Sequence, residues 1–387
     1  MFQKVCANIN TAQEFIIQNA LFCDLFKLTD TAMQSIETPG YTIYFNSECY
    51  DRLQEMLLPE NYSIIFVLAD SNTATHCLPG FLAQVATEIP IEIIEVEPGE
   101  ENKSIETCVN VWYALSELGA DRKSLIINLG GGMVTDLGGF VASTFKRGID
   151  FINVPTSLLA MVDASIGGKT GVDLGGLKNQ VGLINNPVAV LIDVQFLETL
   201  PAEQMRSGLA EMFKHGLIAD RNYWNSLIAL SDLTTDDMAY LIKQSIEIKN
   251  NIVQQDPYEK SVRKLLNFGH TMGHAIESYH LENPEKKTLL HGEAIAIGMI
   301  LESYFSLEKN MLAPEEYREI KAVIMSVFKK VNFTTADVEA ITGLLVHDKK
   351  NEFGVVQFVL PERIGKAKIG CVVENELIYK AFLDYES

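Results

Sequence analysis

The chain has 387 residues, 47% of them apolar and 21% charged, which excludes a largely disordered protein and makes two domains the starting expectation. A formal net charge of −20 argues against a nucleic-acid partner, because phosphates are met by a basic face. No apolar run reaches the roughly 18 residues that span a bilayer, and Met1-Phe2-Gln3-Lys4 does not open a basic-then-apolar leader, so no membrane partner and no signal peptide are expected.

In chain order, Thr11 to Lys27 has helical spacing, and Pro39-Gly40 reads as a turn. Short apolar runs at Tyr41–Phe45, Ser63–Ala69 and Ile91–Val96 read as strands. Ser104 to Leu118 reads as a helix, because Val109, Val111, Trp112, Leu115 and Leu118 follow a 3.6 period. Ser124–Leu129 is an apolar strand running into Gly130-Gly131-Gly132. Alternating apolar strands and helices predict a parallel α/β sheet of the nucleotide-binding kind. After about residue 185 helical segments dominate: Ala202–Ile218, Thr235–Gln255, His270–Tyr279, Gly292–Lys309 and Pro314–Val331. Val355–Leu360 and Lys368–Val373 read as a closing hairpin. The expected division is an α/β domain over 1–185 and a mainly helical domain over 186–387, with a ligand between them. Six cysteines (6, 23, 49, 77, 108, 371) without a CxxC pair suit reduced thiols and a cytoplasmic setting.

Three features carry chemistry. Glycines after a strand let a backbone approach a pyrophosphate, and the next helix N-terminus offers free N–H groups; the bland alternative is a tight strand-to-helix turn. Asp70 with Asn72, and Gly99-Glu100 with Lys103, follow strands and could hold an adenosine, although each alone would be an ordinary loop residue. His270 and His274 at i and i+4 share a helix face, His291 opens HGEAIAIGM, and Glu211 lies in GLAEMFKHG; together they suit a catalytic metal site with an open position. Spacing alone does not say which of His270 and His274 binds. Finally, Arg147, Lys169, Lys178, Lys214, Lys249, Arg263, Lys349 and Lys350 stand in glycine- and asparagine-rich contexts, read as helix ends or polar loops. That concentration in an acidic chain points to a pocket for phosphate and carboxylate.

The ordered motifs GGGMVTDLGGF, Arg147-Gly148, VPTSLLAMVDASIGGKTGVD, LKNQVG, GLAEMFKHG, RKLLNFGHTMGHAIE and HGEAIAIGM resemble the 3-dehydroquinate synthase family of sugar phosphate cyclases over roughly residues 60 to 360. The resemblance implies a Rossmann-like parallel-sheet domain followed by a mainly helical domain. It implies NAD, a divalent metal (Zn²⁺ or Co²⁺) and a cytosolic homodimer. The implied reaction converts 3-deoxy-D-arabino-heptulosonate 7-phosphate, a small anionic sugar phosphate, to 3-dehydroquinate and phosphate in the shikimate pathway. The steps are transient oxidation, phosphate elimination, reduction and aldol closure.

By motif position the metal ligands would be Glu211, His270 and His291. Asp163, Lys169, Lys214, Lys249, Arg263, Asn267 and His274 would be the catalytic and substrate-orienting residues. Arg147, Asn179 and one of Lys349 and Lys350 would bind substrate, with Arg147 able to act across a dimer interface. Asp70, Glu100, Lys103, Gly131, Gly132, Met133, Asp136, Thr156, Ser157, Lys178, Phe196 and Thr199 would contact NAD. The chain departs from the family pattern at Ser157, which keeps the hydroxyl, at Ala164, which loses one, and at Gln204. The competing expectations are another sugar phosphate cyclase and an NAD- and metal-dependent polyol dehydrogenase. The latter gives no reason for Lys169, Lys214, Lys249 and Arg263 to occur together, because its substrates are usually uncharged.

Overall fold

The computed structural model describes residues 33–175, 177–229, 235–345 and 356–387. The helix expected at Thr11–Lys27 lies outside these residues, as do Lys349 and Lys350. The described chain divides into two compact units, with the break in sequence between Pro201 and Ala202.

The first unit runs β1 (Ile36–Thr38), β2 (Tyr41–Phe45), α1 (Ser47–Met56), β3 (Ile65–Asp70), α2 (Ser71–His76), α3 (Leu78–Gln84), β4 (Ile91–Val96), α4 (Ile105–Glu117), β5 (Leu125–Gly130), α5 (Gly132–Thr144) and β6 (Asp150–Pro155). A π-helical turn, Ala160–Ala164, precedes β7 (Lys169–Leu174), β8 (Leu177–Ile184) and β9 (Ala189–Ile192), and a 3₁₀ turn, Val194–Thr199, closes the unit. Seven of these strands form one sheet in the order β1-β2-β9-β6-β5-β3-β4. β1 is antiparallel to β2, and the other pairs are parallel. Every residue of β3 and β5 is buried, as expected for a parallel sheet covered on both faces. One face packs Phe66, Leu68 and Ile126 against Cys108, Val111 and Leu115 of α4 and Val134, Leu137 and Val141 of α5. Each such side chain contributes roughly 1.5–3 kcal/mol by leaving water.

From β3 the chain steps to β4 on one side, then returns to β5 on the other and continues outward to β6. The order therefore reverses between β3 and β5, and ligands of open α/β sheets bind at the strand C-termini beside such a reversal. Here those C-termini are Asp70 and Gly130. Segments 169–174 and 177–184, whose Lys169 and Lys178 were expected near helix ends or in polar loops, form the antiparallel hairpin β7–β8, with Lys169 opposite Ile184 and Val172 opposite Val181. Alternation was masked there because Gly171 and Gly182 face each other so closely that a Cβ on either would strike the opposite backbone.

The second unit contains α6 (Ala202–Ala219), α7 (Arg221–Ile228), α8 (Thr235–Gln255), a 3₁₀ turn (Val262–Asn267), α9 (His270–Glu282), α10 (His291–Glu308), α11 (Pro314–Val327), α12 (Thr335–Leu344), β10 (Phe358–Arg363), β11 (Lys366–Cys371) and α13 (Asn375–Glu386). Helix α11 stops short of the expected Val331 because Phe328 turns extended (ψ 140°) and buries its ring. Helix α10 buries 13 of its 18 residues, so it is buried on most sides and lies at the centre of the unit. It packs on α6, α9, α11, α13 and β10. Among the described residues, no helix is long and apolar enough to cross a membrane.

Candidate active site

Glycine dictates how closely α9 and α10 approach. Gly269 adopts a left-handed φ of +77° just before α9, and a Cβ on Gly298 would lie 2.0 Å from the Gly269 carbonyl oxygen. A Cβ on Gly273 would meet Ala294 O and the Ile295 backbone at 3.1 Å, and one on Gly292 would lie 2.1 Å from Ser207 O of α6. Three backbones thus converge where α6 carries Glu211, α9 carries His270 and His274, and α10 begins with His291. Backbone N–H groups at the buried N-terminus of α9 are met by Glu302 of α10, fully buried, which accepts from Gly269 N (2.7 Å) and Met272 N (3.1 Å).

The three imidazoles form a triangle with ring centres 5.2, 5.5 and 5.7 Å apart, and their nearest nitrogens lie within 4.8 Å of one another. His270 Nε2 and His291 Nε2 stand 3.6 and 3.7 Å from the same oxygen, Glu211 Oε1. Lys214, one helical turn along α6, pairs with the other Glu211 oxygen. The second nitrogen of each ring is committed. His270 Nδ1 donates to the Phe268 carbonyl (3.0 Å), and His291 Nδ1 donates to Glu277 Oε2 (3.2 Å). Both Nε2 atoms of the neutral rings therefore present lone pairs toward a carboxylate oxygen. Lone pair facing lone pair is unfavourable unless a cation sits between, and two imidazoles with one carboxylate are a donor set suited to Zn²⁺ or Co²⁺. In the absence of metal a proton can play that part. Burial alone would lower the His291 pKa, but the Glu277 and Glu211 carboxylates outweigh it and push it up to about 9.

Of the cations expected near helix ends or in polar loops, three lie in the closing turns of helices or in a short turn. Lys214 is on α6, Lys249 on α8, and Arg263 with Asn267 on the 3₁₀ turn before α9. Lys214, Lys249 and Arg263 are each at least 95% buried. Asp256 accepts from the backbone N–H groups of Lys260, Ser261 and Arg263 and so shapes the turn, while Arg263 Nη1 donates to Pro257 O (2.6 Å). Asn267 donates to Glu259 (2.6 Å).

In the first unit the expected cofactor residues gather at the strand C-termini. Asp70 caps α2 through a reciprocal bond with Thr73. Gly131 is the N-cap of α5 and makes no side-chain cap hydrogen bond, and Gly132 and Met133 form the first turn. A Cβ on Gly131 would meet Ser157 Oγ at 3.4 Å, so this glycine lies under the turn after β6. Thr156 N donates to Gly130 O (3.0 Å), tying the ends of β5 and β6. Lys103, 96% buried at its side chain, bonds Glu100 (2.9 Å) and Asp136 (3.3 Å), with Asp173 at 4.0 Å; Lys178 also reaches Glu100 (3.1 Å). Burial would raise the Glu100 carboxyl, but the two lysines hold it well below the usual range. Burial dominates at Asp136, which rises to about 6 despite Lys103. Phe196 and Thr199 lie on the closing 3₁₀ turn, Thr199 donating to Phe196 O (3.4 Å).

Other expected residues stand elsewhere. Arg147 is exposed in a turn of three successive positive φ values (Lys146 49°, Arg147 72°, Gly148 108°), at the N-terminal end of β6, away from the cofactor group. Lys169 and Asn179 are exposed on the β7–β8 hairpin, and Asp163 is half-buried in the π turn. Sequence reading missed three residues. Glu277 continues the His270–His274 helix face at i+3 from His274, a signal present in the spacing. The Glu302 carboxylate meets α9 at backbone N–H groups, which sequence spacing does not show. Cys77 has its thiol pushed up by burial and opposed by the hydroxyls of Thr199 and Thr156, which places it beside both.

Taken together, fold and site define a two-unit nucleotide-and-metal-type enzyme, and comparison with known proteins is consistent. Residues 93–207 match the 3-dehydroquinate synthase N-terminal family and residues 208–351 the 3-dehydroquinate synthase C-terminal family. The 3-dehydroquinate synthase of Parabacteroides distasonis is 41% identical over 336 residues, 86% of this chain and 94% of that protein. Among solved structures, a 2-epi-5-epi-valiolone synthase from Streptomyces hygroscopicus with NAD⁺ and Zn²⁺ bound superposes with a TM-score of 0.80 at 25% identity, covering 92% of this chain and 99% of that one. A 2-deoxy-scyllo-inosose synthase complexed with carbaglucose-6-phosphate, NAD⁺ and Co²⁺ gives 0.77 at 24%, covering 91% and 99%. The chain belongs to the 3-dehydroquinate synthase family.

Proposed function

We propose that this chain converts 3-deoxy-D-arabino-heptulosonate 7-phosphate to 3-dehydroquinate and phosphate, with NAD and a divalent metal. The observation that carries the site assignment is the convergence of His270 Nε2 and His291 Nε2 on one Glu211 oxygen, beside the buried Lys214. A metal on Glu211, His270 and His291 would supply Lewis acidity toward a substrate hydroxyl, lowering its pKa. NAD at the β3–β5 reversal would supply a hydride acceptor that is restored within each turnover.

The chain's own residues do the rest. Gly131 and Gly132 leave α5's N-terminal N–H groups open toward a diphosphate. Glu100, held ionised by Lys103 and Lys178, offers an anionic acceptor to ribose hydroxyls. Lys249, Arg263 and Lys169 bring fixed positive charge to a substrate bearing a carboxylate and a phosphate, and Asp163, Asn179, Asn267 and His274 read its hydroxyls. Holding that anion in one geometry lowers the entropic part of each barrier. With cations in place and no further carboxylate assigned as base, the departing phosphate can itself remove the neighbouring proton.

We further propose a homodimer in the cytoplasm. The dimer would give the outlying Arg147 a site to serve, and the buried thiols of Cys49, Cys77 and Cys108 suit a reducing compartment. The deciding experiment is turnover of the heptulosonate phosphate with catalytic NAD and Zn²⁺, with and without a chelator. Stoichiometric phosphate and dehydroquinate, no accumulated NADH, and loss of activity on chelation are expected. Net NADH from a neutral polyol without phosphate release would overturn the reading.

A further inference from the structure

The two imidazoles that face Glu211 are held by unlike acceptors. His270 Nδ1 donates to a neutral carbonyl, Phe268 O, within its own chain turn. His291 Nδ1 donates to a carboxylate, Glu277 Oε2, on a different helix. Glu277 is 5% exposed and lies on the α9 face that also carries His270 and His274, at i+7 and i+3. An ionised carboxylate only accepts, so the neutral ring of His291, the form that binds a metal, keeps its proton on Nδ1 and its lone pair on Nε2, the atom 3.7 Å from Glu211 Oε1.

We infer that Glu277 is a positioning residue for the metal centre: it locks the tautomer and rotation of His291, and its charge strengthens the Nε2 donor in a way the Phe268 carbonyl does not for His270. The inference rests on the metal-site reading above. Carboxylates behind a ligating imidazole commonly change metal affinity by about 10- to 100-fold when removed. Glu277→Gln keeps the size and an accepting oxygen but removes the charge. Glu277→Ala removes both.

The experiment uses the full-length protein stripped of metal and titrated with Zn²⁺ against a chromophoric chelator. The visible spectrum of each Co²⁺-loaded variant is the second readout, and thermal unfolding of the metal-free proteins is the control for structure. The expected result is one Zn²⁺ per wild-type chain, a Kd weakened about 10-fold in Glu277→Gln and about 100-fold in Glu277→Ala, and a shifted Co²⁺ spectrum in Glu277→Gln with its metal-free unfolding temperature unchanged. Should Glu277→Ala fail to fold, Glu277→Gln decides alone. Wild-type Kd and spectrum in Glu277→Gln would overturn the role of Glu277 while leaving the metal site standing. A wild-type chain that binds no Zn²⁺ would overturn the metal reading and this inference with it.

Discussion

Gly298 on α10 offers a severe test of how the candidate metal site is assembled. A methyl group there would lie 2.0 Å from Gly269 O and 2.8 Å from Gly273 N, both backbone atoms that cannot rotate away. Ordinary contact begins near 3.4 Å, so α9 and α10 must part by roughly 1.4 Å at this point. Gly269 directly precedes His270, and Gly273 directly precedes His274. Overpacking of this kind costs about 1–3 kcal/mol, against a gain of only ~0.5–1 kcal/mol for alanine in a helix. A net loss of about 1 kcal/mol corresponds to a fall of roughly 2–4 °C in unfolding temperature. The metal site is the more sensitive reporter. Ligand distances tolerate about 0.2 Å, so a shift of His270 relative to His291 near an ångström should weaken Zn²⁺ binding by at least ~100-fold. Gly343→Ala is the matched control, because that helical glycine is exposed and nothing lies within 4 Å of the added methyl. It should leave Zn²⁺ affinity unchanged and stability equal or slightly higher. Gly298→Ala with wild-type unfolding temperature and wild-type Zn²⁺ affinity would refute the packing argument.

Three more expectations follow from the same geometry. In the metal-free protein His291 titrates at about 9, above its unfolded value of about 6.5. Its contribution to stability is therefore complete below pH 6.5 and lost as pH rises through 9. Zn²⁺ must displace that proton, so calorimetry in buffers of differing ionisation enthalpy should show about one proton released at pH 7.5, and none released would contradict the assignment. Lys103→Met leaves Glu100, Asp136 and Asp173 clustered without their shared cation; denaturant unfolding should show a loss of about 3–5 kcal/mol together with weaker NAD binding, and an unchanged midpoint would argue against the network. If Arg147 serves the partner's site, mixing inactive Arg147→Ala and His270→Ala chains should restore activity to about a quarter of wild type through mixed dimers, whereas no recovery would confine Arg147 to its own chain.

What the sequence disclosed and what it hid divide along a physical line. Runs whose burial is set by their own period were legible: β4 and α8 fall where their patterns place them, and α4 begins one residue inside its expected start because Ser104 serves as the N-cap, accepting from Thr107 N. The hairpin β7–β8 was not, since its glycines are dictated by the opposite strand and remove the alternation that marks a strand. The cations were found near helix ends, but their burial was not legible. Lys214, Lys249 and Arg263 are buried within regular elements, and burial of a long charged side chain depends on anions and carbonyls contributed from elsewhere in the fold. The same holds for the carboxylates. Glu211 could be picked out because it sits in an apolar helix motif. Glu277 and Glu302 look like ordinary helix residues until α9 and α10 are brought together, and it is glycines 269, 273 and 298 that bring them together. The chemistry of this centre is thus distributed over contacts, where a glycine with no side chain sets the distance at which two histidines and a glutamate can act as one.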